Sequence, residues 1–183
     1  MHGMSAHLPR DASGSIQLER TGPFVPPISF PGAGDVIVTD AVRNKLEGSG
    51  LSGFSFRPVK LARIVRLDWH LWAFNAKSPK EYPSDGEPEG YILDRKHSAE
   101  LAQKVGPLWE MILQPGASEV RVRNETRPWS DEIFIESGSL KGLDFFRADT
   151  TRLNYTSEKA KEWLEKQFSE CVSFERCEFK AKS

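Results

Sequence analysis

The sequence predicts an α+β domain with a mixed or antiparallel sheet and about three helices. Three observations predict it. Short β-branched or aromatic runs recur along the chain, at 36–38, 54–56, 120–122 and 133–135. One-sided apolar stripes at helical spacing mark segments near 40–47, 97–105 and 158–168. A strand–helix–strand pattern occurs twice, over 35–57 and 152–175.

In the first unit Val36, Ile37 and Val38 are stiff at χ1 and suit a pleated surface. Thr39 and Asp40 then supply helix-capping oxygens, Val42 and Leu46 share a helix face, and Gly48 and Gly50 can end the helix. Phe54 and Phe56 alternate with Ser55 in the following strand. In the second unit Thr156 and Ser157 cap a helix, and Glu158 places negative charge in its first turn. Ala160, Trp163, Leu164 and Phe168 form the apolar stripe, with Trp163 read as core. Val172 and Phe174 are expected on one face of a closing strand over Cys171–Phe174. The units match by pattern, with a one-residue shift; duplication and chance likeness of two common units both accommodate it.

The remaining segments fill in around these units. Residues 1–20 are polar and are expected to be a mobile N-terminal arm, leaving 21–183 as a single α+β domain. Four prolines over 21–32 exclude a helix there, and the apolar residues between them are expected to pack on the body. Val59 to His70 reads as a long strand, with a helix as the alternative. Residues 75–96 are too rich in Pro and Gly for regular structure and predict a long loop. Ser98 caps a short helix that Gly106-Pro107 stops; 108–113 reads as a strand, and Gln114-Pro115-Gly116 as a turn. Residues 120–123 and 133–135 are further β candidates, 143–148 leads into the second unit, and the tail from 178 is expected to fray.

Composition narrows the function classes. The 183 residues are 38% hydrophobic and 28% charged, with no apolar run approaching the roughly 20 residues needed to span a bilayer. A net charge of −1 makes a dedicated nucleic-acid binder unlike this chain. The start lacks the apolar stretch of a signal peptide, so a cytoplasmic protein is expected. The two cysteines, Cys171 and Cys177, cannot complete a four-ligand zinc site and read as free thiols. No metal or other cofactor is expected.

Two constellations compete for function. Asp68 and His70 would share a strand face beside Trp69 and Trp72, with His97 as a further imidazole; this is the basis for a small-enzyme alternative, although no nucleophile accompanies them. Against it stands the segment in which Glu81, Asp85, Glu87 and Glu89 surround Tyr82 and Tyr91, with Trp72 nearby. Acidic charge steers a basic partner, and Tyr and Trp supply rigid interface anchors, so these seven residues are the expected partner-binding set. A subunit of a larger assembly is the third reading. The basic set Arg57, Lys60, Arg63 and Arg66 reads as the charged outer face of a half-buried strand.

Several stretches together carry a resemblance: Thr21-Gly22-Pro23-Phe24, Val36-Ile37-Val38-Thr39, Leu51 to Pro58, Arg66-Leu67-Asp68-Trp69, Asp144-Phe145-Phe146-Arg147 and Tyr155-Thr156-Ser157-Glu158. The chain resembles the myxobacterial double-CXXCG proteins and related immunity-type proteins of bacterial polymorphic toxin systems over most of residues 21–177. The two CXXCG motifs of that family are absent, so its metal is not implied here. The resemblance implies a cytoplasmic, non-enzymatic protein that binds and neutralises a cognate toxin, with no catalytic residues.

Overall fold

The β-branched run at Val36–Val38 forms the strand around which the chain is built. The structure, a computed structural model, describes residues 4–6, 8–22, 24–32, 34–66, 95–123 and 131–181. In chain order its elements are β1 (Met4–Ser5), β2 (Gln17–Thr21), β3 (Ile28–Gly32), β4 (Asp35–Thr39), α1 (Asp40–Glu47), β5 (Phe54–Pro58), β6 (Lys60–Val65) and α2 (Ala99–Val105). They continue with β7 (Leu108–Leu113), β8 (Pro115–Ala117), β9 (Glu119–Val122), β10 (Glu132–Glu136), β11 (Phe145–Ala148), β12 (Asn154–Thr156), α3 (Glu158–Phe168) and β13 (Phe179–Lys180). The fold is α+β, and its sheets are mixed or antiparallel.

The largest sheet has the order β3-β4-β7-β5. β4 and β5 each pair antiparallel with β7, which lies between them. The first strand–helix–strand unit therefore exists, but a strand from much later in the chain is inserted between its two strands. Alternation along β4 sends Val36 and Val38 to one face and Ile37 to the other. On the first face they meet Val42 and Leu46 of α1, Met111 and Leu113 of β7, and Ala160, Leu164 and Phe168 of α3. On the second, Ile37 packs with Ile16, Leu18 and Leu108. Both faces of β4 are thus covered, which is why three consecutive residues can be apolar. Each such side chain contributes roughly 1.5–3 kcal/mol by burial. A third cluster, Ala117, Ile135 and Phe146, joins the sheets β12-β11-β8 and β13-β10-β9.

Helix starts follow the expected chemistry in part. Ser98 Oγ accepts from the Leu101 amide at 3.4 Å, and Ser157 Oγ from the Ala160 amide at 3.2 Å. Thr39 occupies the cap of α1 without a side-chain cap bond, and Asp40 Oδ1 instead accepts from Trp109 Nε1 at 2.9 Å. Trp163 is half-buried against the first cluster. Val59 to His70 resolves as strand β6 over Lys60–Val65, and the positions from 67 to 94 lie outside the described residues.

Three expectations need correction. The boundary of a mobile arm at residue 20 falls inside β2, a buried strand that pairs antiparallel with β1 and parallel with β6. Its polar look concealed this: Ile16 and Leu18 enter the core while Glu19 pairs with Arg63 at 3.3 Å. The second unit lacks its closing strand. Cys171, Val172 and Phe174 pack by side chains on the first cluster, and no ladder forms until β13, which runs parallel to β10. Alternating apolar residues predict burial, but a strand also needs a partner edge. Finally, Pro115–Ala117 is strand β8, at the edge of its sheet, where a proline without an amide is tolerated.

Candidate functional site

Two turns meet beside the end of the central sheet. One joins β3 to β4 and carries Gly34 at φ 76°; the other joins β11 to β12 and carries Arg152 at φ 61°. Arg152 is the one non-glycine residue with positive φ among the described residues. The left-handed region costs a side-chain-bearing residue roughly 1–2 kcal/mol, so its surroundings must enforce it. Glu119 does much of this. Its carboxylate accepts from the Thr151 amide (2.9 Å), the Thr151 hydroxyl (2.5 Å) and the Tyr155 hydroxyl (2.8 Å). Burial, with the Glu119 carboxylate beside it, pushes the Tyr155 phenol well above its ordinary pKa, so it stays a donor.

The turns are also tied to each other. The Gly34 carbonyl accepts from Arg147 Nη2 and from Asn154 Nδ2, the latter at 3.1 Å, while Arg147 Nε donates to Asn154 Oδ1 at 3.3 Å. A Cβ at position 34 would stand 2.5 Å from the Arg152 carbonyl oxygen, so this approach requires glycine.

The N-terminal segment closes one side. Arg10 grips Glu110 of β7 with two parallel bonds of 2.8 Å and reaches Asp35 Oδ1 at 3.2 Å. Arg57 Nη1 lies 3.9 Å from Glu110 and donates to the Gly14 carbonyl at 2.6 Å. The hydrogen bond to Glu110 holds the Arg10 guanidinium above its ordinary pKa. Burial raises the Asp35 carboxyl; neighbouring Arg10, Arg147 and Arg152 oppose the rise, and Glu110 adds to it.

Between these groups lies a cleft of about 520 Å³, floored by Leu113 and Ala148 and walled by Arg10, Asp35, Arg147, Asp149 and Arg152. The Arg152 guanidinium makes no hydrogen bond or ion pair with any described residue. An exposed apolar side chain stands beside Arg152 on the second turn: Leu153, 46% exposed. A charged cleft next to a solvent-facing apolar group can grip another molecule, since arginine is among the enriched residues of interface cores.

The expected partner-binding residues Trp72, Glu81, Tyr82, Asp85, Glu87, Glu89 and Tyr91 lie outside the described residues, as do Asp68, Trp69 and His70. His97 is described: its Nδ1 accepts from the Ile64 amide at 3.2 Å, which ties α2 to β6. Three members of the basic set are matched with carboxylates, Arg57 near Glu110, Arg63 with Glu19 and Arg66 with Glu100 at 2.9 Å. Cys171 and Cys177 are free thiols packed on different clusters. Among the described residues no group of three or more His, Cys, Asp or Glu could hold a metal ion, and no helix is long and apolar enough to cross a membrane.

Sequence reasoning did not single out Arg10, Asp35, Arg147, Asp149 or Arg152. They come from three separate stretches of the chain, and the one local signal was the polar turn run Asp149-Thr150-Thr151-Arg152. Compared with known proteins, the chain matches no family model, no curated sequence and no solved structure.

Proposed function

We propose that this chain is a non-enzymatic immunity or inhibitor protein that acts in the cytoplasm by binding and neutralising a cognate bacterial toxin. One observation carries the reading. A non-glycine residue, Arg152, is held in a left-handed conformation at the mouth of a charged cleft, with its guanidinium unpaired among the described residues and exposed Leu153 beside it. Backbone strain persists where surrounding structure maintains it, and it clusters at ligand clamps. A side chain kept in that posture, exposed and unused by the fold, is arranged for an external contact.

Two sequence features support the same reading. The Glu81–Tyr91 stretch combines four carboxylates with two tyrosines, a composition suited to steering and anchoring a basic protein. The resemblance to immunity-type proteins points the same way.

The test is co-expression with the product of the neighbouring gene. The expected result is rescue of growth and recovery of a stoichiometric complex. Failure of the chain to bind or protect against any co-encoded toxin would remove the reading. Turnover of a small substrate by the purified chain, lost in His70→Ala, would replace it with the enzyme alternative.

A further inference from the structure

The charges lining the cleft do not cancel at one end. Glu110 and Asp35 are both engaged by Arg10, and Arg57 adds a second positive charge near Glu110. Arg147 is held by the Gly34 carbonyl and the Asn154 amide oxygen, two uncharged acceptors. Asp149 Oδ1 accepts from the Glu119 amide at 3.3 Å and the Thr150 hydroxyl at 3.0 Å. The cleft wall itself carries three guanidinium groups, Arg10, Arg147 and Arg152, against two carboxylates, Asp35 and Asp149, and with Arg10 on Asp35 the surplus positive charge sits at Arg147 and Arg152. Among the described residues Arg147 Nη1 has no hydrogen-bond partner, and the Arg152 fork has none. A guanidinium fork matches one oxyanionic group, with two parallel N–H···O bonds.

The surroundings select among oxyanions. A nucleic acid would bring a line of phosphates against Asp35 and Asp149, on a chain whose net charge is −1. A free small anion would use the guanidinium groups and leave Leu153, beside Arg152, facing water. A carboxylate borne on a polypeptide with apolar neighbours uses both features. We infer that the Arg147–Arg152 end of the cleft is a docking site for a single Glu or Asp side chain of a protein partner, next to an apolar residue of that partner. This rests on the reading of the chain as a protein binder and names the chemistry of one contact. A partner that is basic overall can present that one carboxylate, because steering acts on net charge at long range whereas this contact is a single pair.

The experiment is selection from a random peptide display library on the purified full chain and, in parallel, on Arg152→Gln. Position 152 is exposed and its side chain bonds to no described residue, so the variant is expected to fold. Wild type should enrich peptides with an acidic residue beside an aromatic or aliphatic one, and Arg152→Gln should not. In fluorescence polarisation, changing the selected Glu to Gln should weaken binding at least tenfold, as should Arg152→Gln. Arg152→Lys, which keeps the charge and loses the fork, should fall between. The inference is overturned if no acidic peptide is enriched, if both proteins select the same peptides, or if the Glu and Gln peptides bind alike. Binding of millimolar inorganic phosphate at Arg152 with no peptide selected would also overturn it and assign the site to small anions. None of these arms needs the toxin, so a failed toxin pull-down and a failed selection tell against different claims.

Discussion

Replacing Arg152 by glycine separates the stability of the fold from its proposed use. The residue sits at φ 61°, where a Cβ costs roughly 1–2 kcal/mol and glycine costs nothing. Against that gain, glycine adds about 0.5–1 kcal/mol of backbone freedom to the unfolded chain. The side chain is exposed and makes no hydrogen bond to a described residue, so little burial energy is lost. Its attraction to Asp35 acts at a distance near the surface, where charge pairs contribute about 0–1 kcal/mol. The Gly34 approach is made by the Arg152 carbonyl, which the substitution retains. The balance is centred on a small net stabilisation of about 0.3 kcal/mol, within a range from a loss of about 1 to a gain of about 1.5 kcal/mol. For a chain of this length each kcal/mol moves Tm by roughly 2–4 °C. Urea denaturation and calorimetry on wild type, Arg152→Gly and Arg152→Ala should place glycine equal or highest, with alanine close to wild type because it keeps the strain. A loss of more than about 1 kcal/mol in Arg152→Gly would mean that the guanidinium ties the fold together, and the case for its outward role would fail.

Other substitutions probe the framework. At Gly53, φ +93°, a Cβ would lie 1.9 Å from the Phe145 carbonyl oxygen, so Gly53→Ala should cost at least about 2 kcal/mol in urea denaturation. Leu46, 1% exposed beneath the central sheet, should cost about 2–5 kcal/mol as alanine, read in the same way. Arg20 is 1% exposed; its Nη2 reaches the Phe24 carbonyl, its Nε has no hydrogen-bond partner among the described residues, and burial pushes its pKa down to about 10. Burial disfavours its charged form in the fold, a penalty present at neutral pH and relieved only as pH rises through about 10 toward the unfolded value. Arg20→Met should therefore be as stable as wild type or up to about 3 kcal/mol more stable, and a clear loss would contradict this. Burial tends to raise the Asp144 carboxyl, but bonds from Ser157 and Ser52 and the nearby Lys159 ammonium outweigh it, and its pKa falls below the ordinary value. That contribution is present above the unfolded carboxyl pKa and lost as pH falls through the folded one, so Asp144→Asn should flatten the acid limb of a stability–pH curve.

What was legible in the sequence is what local pattern controls. The strand at Val36–Val38, the caps at Ser98 and Ser157, and the stripes of α1 and α3 follow from residues within a few positions of one another. What was not legible depends on distant partners. Ile16 and Leu18 look isolated in a polar stretch until β6 lies alongside them, and Val172 and Phe174 look like a strand although they pack without a ladder. The expected partner-binding residues belong to a long stretch outside the described residues, so that part of the site reading stays a matter of sequence.

The cleft depends on the one topological feature that the repeat pattern concealed. Because β7 enters between β4 and β5, Glu110 stands opposite Ile37 on one side and Arg57 on the other. A carboxylate there, 6% exposed, requires a cationic partner, and Arg10 from the N-terminal segment supplies it. Arg10 then also engages Asp35, at the start of β4 and next to Gly34. Gly34 in turn receives Arg147 and Asn154 from the β11–β12 hairpin. Asp35, bonded to Arg10, attracts Arg147 and Arg152 only at longer range, so Asp35 and Asp149 together face three guanidinium groups. The surplus positive charge at the rim thus follows from how the central sheet is threaded, and removing Arg10 should disturb the rim as well as the sheet.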